Sequence, residues 1–361
     1  MVTIIEFVLL FGLLIFFHEL GHYIVCRVFK IEVEEFGIGF PPRLLTLGKI
    51  HGTIISLNWI PFGGFVRPKA ESDASVEGGL ASASPWVRMA VALGGPMTNL
   101  GIGIVLYSLV FVQMGMPDTS RVQIFSVNEN SPAFHAGLTS GDIFIRINDE
   151  PINSQEELSS IVLENRGNEI TMVIDRNGQQ IETKATPRLD PPPNEGALGI
   201  SMGNPTMRIS IFQAIPIASL ATFEQARMLI ALPGRLIAGQ VEPDQARFVG
   251  PVGIFDIFAQ ARELDEEVSE VVPQANLPTP PAIFTLSLMA MLSVALGITN
   301  LLPFPALDGG RILFTLPEII LKKRVPQKFE NLVHLIGFAA LIALMIYITT
   351  QDIINPIQIP R

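Results

Sequence analysis

Three stretches of this chain contain no Asp, Glu, Lys or Arg: Met89 to Pro117, Val271 to Leu307 and Asn331 to Gln351. Each can supply the roughly 20 apolar residues that a helix needs to cross a bilayer. In the second stretch the usable core is Ile283 to Leu302. A fourth candidate, Phe7 to Cys26, is apolar except for one ionisable cluster. A cleaved signal peptide would need a basic start and a small-residue cleavage site. Here no Lys or Arg precedes Arg27 and no such site follows, so a retained span is expected. Composition agrees: of 361 residues 48% are hydrophobic and 16% charged, against about 25% charged in soluble domains. A net charge of -10 argues against a nucleic-acid partner, which would require a basic face. The single cysteine, Cys26, excludes an intrachain disulfide and a thiolate-only metal site.

The basic residues give the expected orientation. Lys30, Arg43, Lys49, Arg67 and Lys69 lie between spans one and two, and Arg311, Lys322, Lys323, Arg324 and Lys328 between spans three and four. Cytoplasmic loops are enriched in Lys and Arg, which places both short segments inside. The acidic segment Asp118 to Glu270 is then extracytoplasmic, as are both termini. The expected fold class is a polytopic α-helical membrane protein of about four spans, with a cytoplasmic-side β-hairpin and an inserted α+β module.

In the first cytoplasmic segment (30–86), Thr53 to Trp59 reads as a strand and Pro61-Phe62-Gly63-Gly64 as turn chemistry before Phe65 and Val66. Together they suggest a hairpin against the membrane. An exposed strand edge there can capture extended backbone, which makes Gly63 and Gly64 candidate substrate-binding positions; a purely stabilising hairpin is the equal alternative. Within residues 120–190, strand candidates run Val122–Val127, Ile143–Ile147, Ile170–Ile174 and Gln180–Ala185, with a helix over Ser154–Glu164. Asp175-Arg176-Asn177-Gly178 reads as a hairpin turn, and Asp190-Pro191-Pro192-Pro193 as a stiff linker ending the module. Residues 191–280 are expected to hold linker and interfacial helices. One of these, Ile209 to Gly239, is amphipathic and broken at Pro233-Gly234; Glu224, Arg227 and Arg235 make a fifth span costly there.

The ionisable cluster of span one is His18-Glu19-Leu20-Gly21-His22, the pattern H-E-x-x-H. On a helix, residues four apart share a face, so His18 and His22 can hold one metal ion. Glu19 sits about 100 degrees around the helix, within reach of a water on that metal. A core histidine would account for one ionisable group at membrane depth but not for three in five positions. Catalytic zinc takes three protein ligands. The candidate for the third is remote: Asn300-Leu301-Leu302-Pro303-Phe304-Pro305-Ala306-Leu307-Asp308-Gly309-Gly310 brings Asp308 to the cytoplasmic end of span three. Broken backbone at that depth is tolerated where it lines a cavity, although taken alone a turn aspartate before Gly-Gly is the simpler reading. His51 and His135 read as surface residues, His334 as an interfacial position in span four, and Cys26 as a packing residue.

HELGH in a first span with NLLPFPALDGG in a later one resembles the site-2 protease family of intramembrane zinc metalloproteases. The resemblance extends through Phe36-Gly37-Ile38-Gly39-Phe40, Ile60 to Val66, Ser84 to Arg88, Gly94 to Asn99 and Gly250 to Ile254. Ser131-Pro132-Ala133-Phe134-His135-Ala136-Gly137-Leu138 with Gly141-Asp142 resembles a PDZ domain, giving the order of bacterial members with one PDZ domain between spans two and three. The resemblance implies zinc held by His18, His22 and Asp308, Glu19 as the general base, and Asn99 and Asn300 near the site as substrate-backbone or oxyanion partners. It implies regulated intramembrane cleavage of single-span proteins, such as anti-sigma factors or remnant signal peptides. It further implies a multi-pass protein of the bacterial cytoplasmic membrane, with its PDZ domain outside, open to a peptide ligand, and its active site toward the cytoplasm. A catalytically silent PDZ-bearing scaffold would have no use for ionisable groups in lipid. A metal transporter would need a polar path that spans two and four lack.

Overall fold

The computed structural model describes all residues except 1, 72, 74, 194, 241–247, 272–281 and 357–361. It divides into two compact units, one formed by Met1–Gln113 with Ser210–Arg361 and one by Met114–Ile209.

The first unit is mainly helical. Helix α1 (Val2–Val28) leads into β1 (Val33–Ile50) and β2 (Thr53–Pro68), followed by α2 (Pro85–Met114). After the second unit come α5 (Ile211–Ile237), α6 (Pro251–Val271), α7 (Ile283–Leu301), α8 (Asp308–Leu321) and α9 (Gln327–Ile354). By length and composition five of these, α1, α2, α5, α7 and α9, could cross a membrane. The sequence suggested four, with α5 along the interface and broken at Pro233-Gly234. Instead α5 runs unbroken through Pro216 and Pro233. Its Gln225 donates to the Met291 carbonyl of α7 at 3.0 Å and accepts from the Tyr107 hydroxyl of α2 at 2.9 Å, so α5 packs on both helices. Residues 311–330, expected as a cytoplasmic loop, begin within helix α8, which runs from Asp308 to Leu321, and the broken stretch is confined to residues 302–307.

Large apolar side chains cover α9 on its outside, including Leu335, Ile336, Ile346 and Tyr347. Such a surface is stable against lipid and unfavourable against water. The interior of the unit packs Phe7 and Leu14 of α1 on Phe258 and Ala261 of α6 and on Leu288 and Met289 of α7. Asp265 of α6 accepts the Phe284 and Thr285 amides at 2.9 and 3.0 Å, satisfying donors that the start of α7 would otherwise leave unpaired.

β1 and β2 meet at His51-Gly52, both at positive φ (48° and 91°), the backbone of a two-residue hairpin turn. Phe36 pairs with both Ile55 and Val66, and Gly37 with both Ser56 and Phe65. The first part of β1 is therefore flanked on both sides by β2. Pro61–Gly64 is where β2 crosses from one side to the other, and Gly63 (φ 94°) supplies the conformation this requires. Buried Glu35 binds the segments together: it accepts from Ser56 Oγ at 2.7 Å and pairs with Arg43 at 2.7 Å and Arg67 at 3.1 Å.

The second unit contains β3 (Met116–Pro117), β4 (Val122–Val127), α3 (Pro132–His135), β5 (Ile143–Ile147), β6 (Glu150–Pro151) and α4 (Gln155–Glu164). It continues with β7 (Ile170–Arg176), β8 (Gln179–Ala185), β9 (Ile200–Gly203) and β10 (Thr206–Met207). The main sheet has the order β8-β7-β5-β4-β9. The expected module end at Asp190 falls short. Arg188 N bonds to the Ala197 carbonyl at 2.9 Å, Ala197 and Leu198 are buried in the core, and β9 closes the sheet against β4. The Pro-rich run is thus a turn inside the unit, because the residues beyond it supply apolar side chains that the core needs.

Candidate metal centre and active site

His18 and His22 fall one turn apart on the face of α1 that meets α2, and this crossing is unusually close. A Cβ at Gly21 would come within 2.7 Å of the Gly94 carbonyl carbon, and one at Gly94 within 2.8 Å of the Gly21 oxygen. A Cβ at Gly95 would lie 2.7 Å from His18 Nε2. Small residues let membrane helices approach to backbone contact. Here they bring α2 directly against the imidazole pair.

α2 also fixes both rings. His22 Nδ1 donates to the Val91 carbonyl at 2.7 Å, which leaves Nε2 as a lone pair. His18 Nδ1 lies 3.3 Å from the Asn99 amide nitrogen, on a fully buried side chain whose Oδ1 has no partner among the described residues. A half-turn of that amide exchanges its two ends, so Oδ1 can accept the Nδ1 proton and leave His18 Nε2 free.

Asp308 enters from the first turn of α8, where the helix dipole favours a carboxylate. Its Oδ2 lies 3.1 Å from His18 Nε2 and 3.4 Å from His22 Nε2, and the two nitrogens are 3.2 Å apart. Three electron pairs therefore converge without an arginine or lysine among them, an arrangement that a cation resolves. For metal–ligand bonds of about 2.0–2.2 Å, the edges of a tetrahedron are about 3.3–3.6 Å, so the donor set fits zinc closely. Among the described residues, these three form the one cluster of His, Cys, Asp or Glu able to hold a metal ion.

Glu19 is within electrostatic reach of His18, His22 and Asp308. Gly64 of β2 packs on it: a Cβ there would stand 3.0 Å from Glu19 Cγ and 3.2 Å from the Gly37 carbonyl. Gly63 is closed in by the Phe40 ring. Of the two asparagines, only Asn99 reaches the histidines. Asn300 Nδ2 donates to the Leu296 carbonyl of its own helix at 3.1 Å. Val91 is a contributor that sequence reasoning missed, since it acts through a carbonyl that any residue would supply. Gly95 had a readable signal, the Gly-Gly pair in a span opposite a histidine helix.

Such donors, set among helices whose outer surfaces are apolar, suit a metal-binding protein of membranes. The sequence matches Peptidase family M50 over residues 6–344. A zinc metalloprotease candidate of Clostridium perfringens is 33% identical over 365 residues, covering 98% of this chain and 99% of its own. Zinc metalloprotease RasP of Oceanobacillus iheyensis is 28% identical and metalloprotease MmpA of Caulobacter vibrioides 26%; each alignment spans 98% of this chain, and respectively 99% and 96% of theirs. A solved PDZ domain from Listeria monocytogenes aligns with 22% of this chain and 85% of its own, at 17% identity and a TM-score of 0.21. The chain belongs to peptidase family M50.

Proposed function

We propose that this protein is an intramembrane zinc endopeptidase that hydrolyses peptide bonds in or beside the membrane segments of single-span proteins. The observation that carries the reading is the convergence of His18 Nε2, His22 Nε2 and Asp308 Oδ2 beside Glu19, in a bundle with apolar outer surfaces.

His18, His22 and Asp308 hold the zinc, and the Val91 carbonyl and Asn99 keep the two imidazoles in the tautomer that ligation needs. Zinc, when bound, polarises the scissile carbonyl and acidifies the attacking water. The Glu19 carboxylate takes the proton that this water loses as its oxygen bonds to the carbonyl carbon. It delivers that proton to the amide nitrogen as the C–N bond breaks. The Gly64 to Pro68 part of β2, which begins at the glycine packed on Glu19, offers backbone groups to an unwound substrate strand.

The second unit is a PDZ domain. β9 ends the main sheet, and beside it a cleft of about 200 Å³ is lined by Leu158, Val162 and Leu163 of α4 and by Gly199, Ile200 and Met202. Strand addition at β9 with side chains in this cleft would hold an extended peptide. The Lys- and Arg-rich segments at 27–88 and 311–328 support an active site toward the cytoplasm of a bacterial membrane, with the acidic Asp118–Glu270 segment outside.

The experiment is cleavage of a single-span test protein in liposomes by wild type and Glu19→Gln, with zinc content measured in parallel. Cleavage by the wild type only, with equal zinc in both, is expected. Equal cleavage by both would remove Glu19 from the chemistry. Absence of cleavage by zinc-loaded wild type, across substrates already trimmed outside the membrane, would favour a scaffold.

A further inference from the structure

Asp308 reaches the histidines from a stretch with little secondary structure of its own. Between the end of α7 at Leu301 and the start of α8 at Asp308, residues 303 and 305 are prolines and lack amide donors. Local bonds hold part of the stretch: Leu302 N to the Thr299 carbonyl, Phe304 N to Leu302 and Leu307 N to Phe304. Ala306 has no such bond. Its φ is 78°, the left-handed region, which is strained for a residue with a Cβ. Strained backbone persists where its surroundings over-determine it.

The surroundings come from α9. The Ala306 amide donates to Nδ1 of His334 at 2.8 Å. Among the described residues this is the one backbone hydrogen bond from 302–307 to an element other than α7 and α8. One turn on, at Gly337, a Cβ would stand 2.7 Å from the Pro305 carbonyl oxygen, so α9 lies directly on the stretch only because the position is glycine. Residues three apart share a helix face, and His334 and Gly337 thus form one contact surface. From the other side Gly310 closes in, where a Cβ would be 3.1 Å from Pro305 Cα. Phe314 of α8 packs against the His334 ring at 5.4 Å between centroids. Because Nδ1 accepts from Ala306, the ring hydrogen sits on Nε2, a buried atom with no hydrogen-bond partner among the described residues. His334 is therefore not a metal ligand and not merely an interfacial residue.

We propose that His334 and Gly337 are positioning residues for the metal ligand Asp308, holding the 302–307 stretch in its left-handed turn so that the carboxylate meets His18 and His22. The proposal rests on the zinc reading above. Its test uses full-length protein in detergent, with zinc affinity measured by chelator competition and the geometry of the site read from the visible spectrum of the cobalt-substituted protein. His334→Leu keeps the packing on Phe314 and removes the acceptor. His334→Asn places an amide oxygen where Nδ1 stood. Zinc binding should weaken about 10–100-fold in His334→Leu, the usual cost of losing an outer-shell support, and the cobalt spectrum should change. His334→Asn should restore both, and Gly337→Ala should weaken zinc while leaving His334 in place.

Asp308→Ala serves as the reference. Unchanged zinc affinity in Asp308→Ala would contradict the metal site itself. Weakened zinc in Asp308→Ala with wild-type affinity and spectrum in folded His334→Leu would overturn the positioning role alone. Should His334→Leu not fold, His334→Asn is set against Gly337→Ala, and equal zinc affinities in those two would overturn it.

Discussion

Two aspartates in this protein, Asp142 fully buried and Asp308 half-buried, meet opposite fates. Asp142, in the second unit, is fully buried, and its carboxylate accepts from Arg176 Nε and Nη2 at 2.7 Å each and from the Thr139 amide at 2.8 Å. Asp308 keeps only 14% of its side chain exposed, and it meets two imidazoles whose own lone pairs crowd toward each other. The first carries its counter-charge within the chain and is complete. The second meets two imidazole nitrogens in place of an Arg or Lys hydrogen bond, the arrangement on which the proposed metal site rests. Burial of an acid is thus not itself a sign of function; what decides is whether the fold supplies the compensating charge.

Exchanging the lesions breaks the comparison most sharply. Asp308→Ala should abolish cleavage and release zinc while leaving amide protection in the second unit unchanged in full-length protein by hydrogen exchange. Asp142→Ala should do the reverse, retaining zinc but destabilising the second unit by about 1.5–3 kcal/mol, the usual worth of hydrogen bonds to a charged group, since Arg176 is left partly exposed to water. The Asp142 carboxyl also sets an acid limit. Burial would raise its pKa, but Arg176 and Thr139 outweigh that and hold it below the ordinary range. A depressed folded-state value means that its stabilisation is fully present above the unfolded value, about 3.9, and is lost as pH falls through the lowered one. Protection of β7 and β5 should therefore persist from pH 7 to about 4 and decline only below that. Loss of that protection near pH 6 would contradict the assignment.

The smallest effect separates two asparagines. Asn99→Ala, beside His18, should weaken zinc about tenfold as an outer-shell change, whereas Asn300→Ala, bonded within its own helix, should leave zinc affinity unchanged by chelator competition. Equal losses in both would give Asn300 a place at the metal that its hydrogen bond does not suggest.

What was legible in the sequence was what repeats locally. His18 and His22 declare themselves through helical spacing, and the uncharged stretches through length alone. The strands at Val122, Ile143 and Ile170 follow from patterning and lie where it put them. Asp308 became a ligand candidate only by joining a remote motif to the first, and 290 positions separate it from His18. Val91 was invisible because its contribution is a carbonyl. His334 looked interfacial because nothing in a linear pattern shows that Ala306 lacks a local partner. β9 escaped because four residues behind a proline run carry too little periodicity, yet the core of the second unit is incomplete without Leu198 beside it.

The most direct test of the central claim is X-ray absorption at the zinc edge of purified full-length protein. Two imidazoles with oxygen donors at about 2.0–2.2 Å are expected, with one imidazole lost in His22→Ala. A spectrum containing sulfur, or no imidazole, or one unchanged in both His22→Ala and Asp308→Ala, would contradict the account.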